Sequence, residues 1–593
     1  MNTKFSTIDY ILFALYIFFL ICFALWISRS GKGKQKTTSD YFLASRNLSW
    51  WIIGGSLIAS NISAEQFIGM SGSGYAIGLG IAAYEWIAAI ALILVGKFFL
   101  PIFIKKEIYT MPQFLTIRFD NRVSTSLAIF FLLLYVFVNL TSVSYLGALA
   151  IQTVFGLDRT FLTYIIILLF ILALIFSIRG GLKSVVYTDI IQVIVLILGG
   201  LLTTYFGLTA LAAKFGGTGF YDGLQTLFAQ APQKFDLILS PENPQYKNLP
   251  GIAVLAGFML LTNIGYWGLN QYIIQRGLAA KSIREAQKGV LFAGYLKLLL
   301  PLIVVIPGII AFVANADIGK PDEAYPWLLA NYIPSGIKGI AIAALVSAIV
   351  SSLSSMINAT TTIFSLDIYK KYFKKDSNDK DLVRAGRICG LIASIIAISV
   401  TPLLRTLDQA FQYIQEFTGF IYPGIIVIYF MGLFWKQATA NAALWVAIIC
   451  LPLSAVFKFL QPQMPFMDRM GFVFIILAIT GVLISVLEQK GKIINQNYDS
   501  KFSKRSAHQG YFLISAGVVI SLLNFLLLKV NAIYVTSSLM IFIGIFLLGN
   551  ALGHLHDKKG IEIKSGWFKT TSGFKIASAG IILFLFLIYY FLY

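Results

Sequence analysis

Residues 61–80 read NISAEQFIGMSGSGYAIGLG and set Asn61, Glu65, Gln66 and five glycines between two strongly apolar runs, WWIIGGSLIAS and IAAYEWIAAIALILVG. Glu85 lies inside the second of those runs, and Asn139, Asp189, Asn263, Asn270, Lys297, Gln412, Gln415 and Glu416 interrupt later apolar stretches. A carboxamide both donates and accepts hydrogen bonds, a carboxylate only accepts and an ammonium only donates. Such a set can surround a solute made of hydroxyls, each of which is donor and acceptor at once. An amino acid would instead require a dedicated partner for its carboxylate and another for its amine.

A second chemistry is written in AIVSSLSSMINATTTIF, where Ser351 and Ser352 are adjacent and Ser354, Ser355 and Asn358 extend the polar stripe. The glycines of GMSGSGYAIGLG each weaken a helix by about 1 kcal/mol relative to alanine, so local unwinding is cheap there. Carbonyls freed by unwinding, joined by side-chain hydroxyls, can replace the water shell of a bare cation. No carboxylate stands among these hydroxyls, which suits Na⁺ better than Ca²⁺. Hydroxyls back-bonding within a tightly packed helix are the alternative reading of the same stretch. A second interrupted stretch, NIGYWGLNQYIIQRG, contains Gly265, Gly268 and an aromatic pair.

The elements that must position these groups are membrane helices. The chain has 593 residues, 58% hydrophobic and 12% charged, a composition of polytopic membrane proteins. About sixteen runs of about twenty apolar residues, each long enough to cross a bilayer, recur along it. Lysines and arginines flank them on one side: Arg29, Lys32, Lys34 and Lys36 after the first span, then Lys105, Lys106, Arg118 and Arg122, and later Arg276, Lys281, Arg284 and Lys288. The positive-inside rule places these loops in the cytoplasm and both termini outside. Orientation thereby accounts for the net charge of +20, and nucleic acid is not an expected partner. Cys22, Cys389 and Cys450 fall in three different spans, so no disulfide framework or metal spacing arises. No nucleophile–base pair or phosphate loop suggests an enzyme. The two interrupted spans lie five helices apart, as expected of inverted repeats, although the two segments share no letter-by-letter repeat.

The segments LIASNISAEQFIGMSGSGYAIGL, YEWIAAI, FVNLTSVSYLG, GGLKSVVYTDIIQV, NQYIIQR, EAQKGVLFAGYLKL, AIVSSLSSMINATTTIF and AFQYIQEFTGF, in this order, resemble the sodium/solute symporter family, most of all its bacterial sodium/galactose (sodium/glucose-type) transporters. The likeness covers residues 5–490 and 560–593. It implies an all-α polytopic membrane protein of about sixteen transmembrane helices, with a LeuT-like core of two inverted five-helix repeats and additional peripheral helices. The implied parts are a peripheral helix and basic loop (1–48), the first repeat (49–212), an extracellular loop (213–249), the second repeat (250–436), peripheral helices (437–490), an extra transmembrane hairpin (491–556) and a C-terminal helix (557–593).

The same resemblance implies sodium coupling, with Na⁺ held by carbonyls of Ala59, Ile62 and Ala348 and hydroxyls of Ser351 and Ser352. Gln66, Glu85, Asn263, Lys297 and Gln415 are expected to bond a monosaccharide, glucose or galactose, with Asn61 close to both sites. Tyr266 is expected to stack on the sugar and close the inner side, Met70, Tyr84 and Phe411 to gate the outer side, and Asp189 to line the sodium exit. A serine that those transporters carry three residues after the site glutamate is Ala88 here, and the extra hairpin is a further departure. Inositol, sialic acid or another polar solute is the rival substrate, and a sugar-gated sensor or leak channel the rival function. The expected place is the cell membrane, a bacterial inner membrane, with lipid, sodium and sugar as partners and no obligate protein partner.

Overall fold

The computed structural model describes residues 6–27, 37–251, 254, 259–406, 410–489 and 565–592; the hairpin expected at 491–556 falls outside them. Lipid offers no partner to a backbone N–H or C=O, so apolar runs of this length close their hydrogen bonds along helices. In chain order these are α1 (Thr7–Ile27), the interrupted pair α2 (Trp50–Asn61) and α3 (Ser71–Ala76), α4 (Leu79–Lys105), α5 (Asn121–Phe155), α6 (Leu162–Ser177) and α7 (Gly181–Lys214). A second interrupted pair follows, α8 (Met259–Ile264) and α9 (Gln271–Leu278), then α10 (Ile283–Val313), α11 (Ile337–Phe373), α12 (Asp379–Leu404) and α13 (Phe411–Phe434). Peripheral helices α14 (Ala440–Leu460), α15 (Phe466–Glu488) and α16 (Ser572–Phe591) complete the described residues.

Of these, 11 are long and apolar enough to cross a membrane unbroken. The α2/α3 and α8/α9 pairs each open a set of five spans. Five is odd, so the second set starts from the opposite face and the repeat is inverted. Helix starts are capped by side chains: Ser282 accepts from the Glu285 N–H at α10, Asn378 and Asp381 cap each other at α12, and Thr439 and Thr571 cap α14 and α16. Each such cap satisfies a donor the helix cannot.

Burial orders the bundle. The apolar stretch of α11 is 94% buried, whereas those of α1 and α16 are 11% and 22% buried. The serines, alanines and threonines of α11 let neighbouring backbones approach it closely, so the hydroxyl-rich helix is the one at the centre. Between α6 and α7 the chain turns at Gly181, whose φ of +63° only glycine adopts without strain, and a Cβ there would sit 2.5 Å from the Tyr41 carbonyl.

α3 and α10 cross more closely still. A Cβ on Gly308 would fall 1.9 Å from the Ser71 carbonyl oxygen, a backbone atom that cannot rotate away. Overpacking of this kind costs about 1–3 kcal/mol. Gly308→Ala is therefore expected to lower the thermal midpoint and folded yield in detergent; an unchanged midpoint would show that the crossing opens freely.

Candidate functional site

α2 stops at Asn61 because the next residue leaves the helical region, with Ile62 at φ −74° and ψ 88°. The chain re-enters through a wide turn over Glu65–Met70. Backbone donors across the break go to few acceptors. Ile62 N–H bonds the Ile58 carbonyl (2.7 Å), Ser63 N–H the Asn61 carbonyl (2.9 Å), and the Gln66 and Phe67 N–H groups both bond the Ser63 carbonyl (3.2 Å). None of these donors serves the carbonyls of Ala59, Ser60 or Ile62. The second pair breaks in the same way, since Gly265–Leu269 is a wide turn and Asn270 is extended (φ −80°, ψ 122°) before α9 resumes.

These two breaks, with α4, α5, α10 and α13, enclose one cavity. Its lining includes Asn61, Gln66, Glu85, Asn263, Tyr266, Lys297 and Gln415, together with Met70, Tyr84 and Phe411. The structure thus brings together side chains as far apart in sequence as Asn61 and Gln415. Lys297 donates to both the Glu85 carboxylate and the Asn61 side-chain carbonyl, and its ammonium stands 4.9 Å above the Trp267 ring. Asn61 in turn donates to the Tyr266 hydroxyl (3.1 Å), which pairs with the Tyr272 hydroxyl (2.6 Å). Tyr84 and Phe411 meet edge to face at 5.3 Å. Gln66 accepts from the Ser63 N–H and hydroxyl, both at 3.3 Å, and Asn263 donates to the Met259 carbonyl at 3.0 Å.

Other lining residues had no assigned role in the sequence. Glu65 enters the cavity, buried, with one carboxylate oxygen lacking any hydrogen-bond partner. Trp267, Thr262, Thr418 and Tyr422 also line it. Glu65 and the aromatic pair were visible as polar or bulky residues beside glycines, but nothing local distinguished the inward-facing ones. Glu416 does the reverse, since it is spent on ion pairs with Lys458 and Arg469.

The oxygen-rich region lies beside the same break. The Ser352 hydroxyl reaches the Ser60 carbonyl at 3.3 Å, and the Ser351 hydroxyl donates to Asp189. A hydroxyl that donates to a carboxylate keeps its lone pairs for a cation. Ala59, Ile62 and Ala348 are buried beside it. Carbonyls at the break with two hydroxyls and no ligating carboxylate fit a monovalent cation.

Two arginines are not where their sequence positions suggest. Arg276, expected in a cytoplasmic loop, is 0% exposed in α9, and Arg118 is buried at 4%, donating to the carbonyl of Gly432 in the last turn of α13 and to those of Trp435, Lys436 and Ala438 beyond it. Both follow apolar runs closely enough to read as orienting charges, yet each has its own set of buried acceptors.

A model of the sodium:solute symporter family matches residues 41–450. The chain belongs to this family. It is 50% identical over 512 residues to a sodium/glucose cotransporter of Vibrio parahaemolyticus, covering 83% of this chain and 93% of that one. It is 32% identical over 493 residues to the human sodium/myo-inositol cotransporter 2, covering 77% and 71%. The solved structure of a Na⁺-coupled sialic acid symporter aligns with a TM-score of 0.70 at 23% identity, over 82% of this chain and 98% of that one. The fold is therefore the LeuT-like one of inverted repeats.

In this symporter the Glu85–Lys297 pair is almost wholly desolvated, with side chains 3% and 1% exposed. Removing one partner of such a pair costs about 3–5 kcal/mol, because the other charge is left alone. Lys297→Met is expected to lower the thermal midpoint in detergent, and adding Glu85→Gln to restore most of the loss. A double variant as unstable as the single one would show that the two charges do not compensate each other.

Proposed function

We propose that the protein imports a monosaccharide, glucose or galactose, together with sodium by alternating access. One observation carries this reading: the cavity lined by the hydroxyl-bonding set and the oxygen-rich region beside α11 share the broken end of α2. Asn61 belongs to the cavity, while the carbonyls of Ala59 and Ile62, on either side of it in sequence, are left by the break for the ion. The family's coupling ion is sodium, and a relative named as a sodium/glucose cotransporter at half identity over most of its length supports a hexose.

In the proposed cycle, sodium bridges α2 and α11 through Ala59, Ile62, Ala348, Ser351 and Ser352. It fixes the break and thereby presents Asn61 and Gln66 to the sugar. Hydroxyls of the sugar bond Gln66, Glu85, Asn263, Lys297 and Gln415, and the Tyr266 ring covers the apolar face. Tyr84, Phe411 and Met70 close the outer side. Loss of sodium inward past Asp189 loosens the break, Tyr266 moves, and the sugar follows. The 1–48, 49–212, 213–249, 250–436, 437–490, 491–556 and 557–593 division and external termini in a cell membrane complete the reading; no catalytic chemistry and no protein partner enter it. Relatives named for myo-inositol favour a second substrate reading, a polyol, and Ala88 replaces a serine that the galactose transporters carry.

Proteoliposomes with an imposed sodium gradient test it directly. Hexose accumulation above equilibrium is expected, with competition by glucose and galactose stronger than by myo-inositol. Equilibration without accumulation would favour a sensor or leak. Ser352→Ala, which removes an oxygen that water cannot replace at that depth, is expected to abolish accumulation while leaving the folded yield unchanged; sodium-dependent accumulation of wild-type size would refute the ion assignment.

A further inference from the structure

Arg276 is fully buried, carries a charge, and belongs to neither proposed binding set. Its guanidinium donates to the Ser56 hydroxyl (2.9 Å), the Ser355 hydroxyl (2.6 Å) and the Tyr272 carbonyl, and meets Asp189 at 3.5 Å. Asp189 also accepts from the Ser56 and Ser351 hydroxyls. Four elements therefore converge on one desolvated charge pair: α2 and α7 of the first repeat, α9 and α11 of the second. Burying such a pair brings little net stability, because desolvation offsets most of the attraction. Its place in the network gives it another use.

From Arg276 a connected path continues, hydrogen-bonded except where it passes through the covalent frame of Tyr272 from its carbonyl to its hydroxyl. Arg276 holds the Tyr272 carbonyl, the Tyr272 hydroxyl meets that of Tyr266, Tyr266 accepts from Asn61, and Asn61 accepts from Lys297, which also donates to Glu85. One end of this chain is Ser351, beside the ion region; the other is Glu85, in the cavity. We infer that Arg276 and Tyr272 are positioning residues of a second coupling route, which carries the state of the sodium site to Tyr266 independently of the backbone of α2. This rests on the sodium–sugar reading above.

The sign follows from the chemistry of the bonds. A cation on the lone pairs of Ser351 polarises its O–H, so Ser351 donates more strongly to Asp189 and holds that carboxylate in place. Asp189 so held keeps Arg276 seated, and Arg276 keeps the Tyr272 carbonyl and with it the hydroxyl that pins Tyr266. Without sodium the Ser351 donor weakens, and the pin on Tyr266 weakens with it. Sodium thereby raises sugar affinity through this route, and by linkage sugar raises sodium affinity by the same factor.

Tyr272→Phe isolates the route. It removes the hydroxyl that joins the two halves and keeps the ring, which packs edge to face on Tyr135 at 5.7 Å. Tyr272 lies outside the cavity lining. Sugar affinity of the purified full-length chain is measured by calorimetry in sodium and in choline. A wild-type gain of roughly 5- to 150-fold is expected. Tyr272→Phe should keep its affinity in choline and lose most of the sodium gain. Arg276→Lys, which keeps the charge beside Asp189 but not the fork of donors, should also lose gain. An undiminished gain in Tyr272→Phe overturns the route. So does an equal loss of affinity in both media, which would mean that Tyr272 merely props the cavity. No sodium gain in wild type overturns the symport reading along with it.

Discussion

A helix interrupted within a bilayer has no water to turn to, and that constraint organises the rest of the molecule. At Ile62 the break is tolerated because the groups it releases are given partners of particular kinds. The Ser63 hydroxyl takes the Glu65 N–H at 3.1 Å, the Ser63 carbonyl takes two further donors, and the Ser60 carbonyl takes the Ser352 hydroxyl of the most deeply buried, hydroxyl-rich helix. Irregular backbone at this depth persists only where protein or a lined cavity satisfies it. The break is thus a structural debt that an ion and a polar solute can settle, which makes their binding interdependent.

Both buried ion pairs span the two repeats. Glu85 on α4 meets Lys297 on α10, and Asp189 on α7 meets Arg276 on α9. Relative to an apolar seam, neither brings much net stability, because desolvation offsets most of the attraction. What a buried pair does supply is a defined register between two bodies that must move. A pair whose attraction nearly cancels its desolvation can exchange a protein contact for a solute contact at small net cost, as Lys297 would when a sugar hydroxyl enters beside Glu85. An apolar seam in the same place would have no such alternative partner.

Much of this was legible in the sequence. Polar residues inside apolar spans have few bland explanations, so Asn61, Gln66, Glu85 and Lys297 stood out; glycine runs located both breaks, and their odd offset, five spans from one to the next, gave the inversion. What was not legible depended on direction. Arg276 sits one helical turn beyond a break and a few residues before Lys281 and Arg284, so the charge rule that orients the chain absorbed it. Glu65 and Glu416 each neighbour a cavity glutamine, Gln66 and Gln415, but one carboxylate turns inward and the other to Lys458 and Arg469. Such choices are made by the wide turn after the break and by packing against α14 and α15, neither of which leaves a local signature.

Selectivity among hydroxylated solutes then depends on what the cavity leaves unpaired. Ala88 is buried and lies outside the cavity lining. Glu65 presents the opposite situation, for one of its carboxylate oxygens is buried within the protein and lacks a donor. Leaving such an acceptor unsatisfied costs about 1–3 kcal/mol, which is roughly 5- to 150-fold in affinity. The carboxylate next to Gln66 thus belongs to the cavity lining, whereas the alanine that departs from the galactose transporters lies outside it.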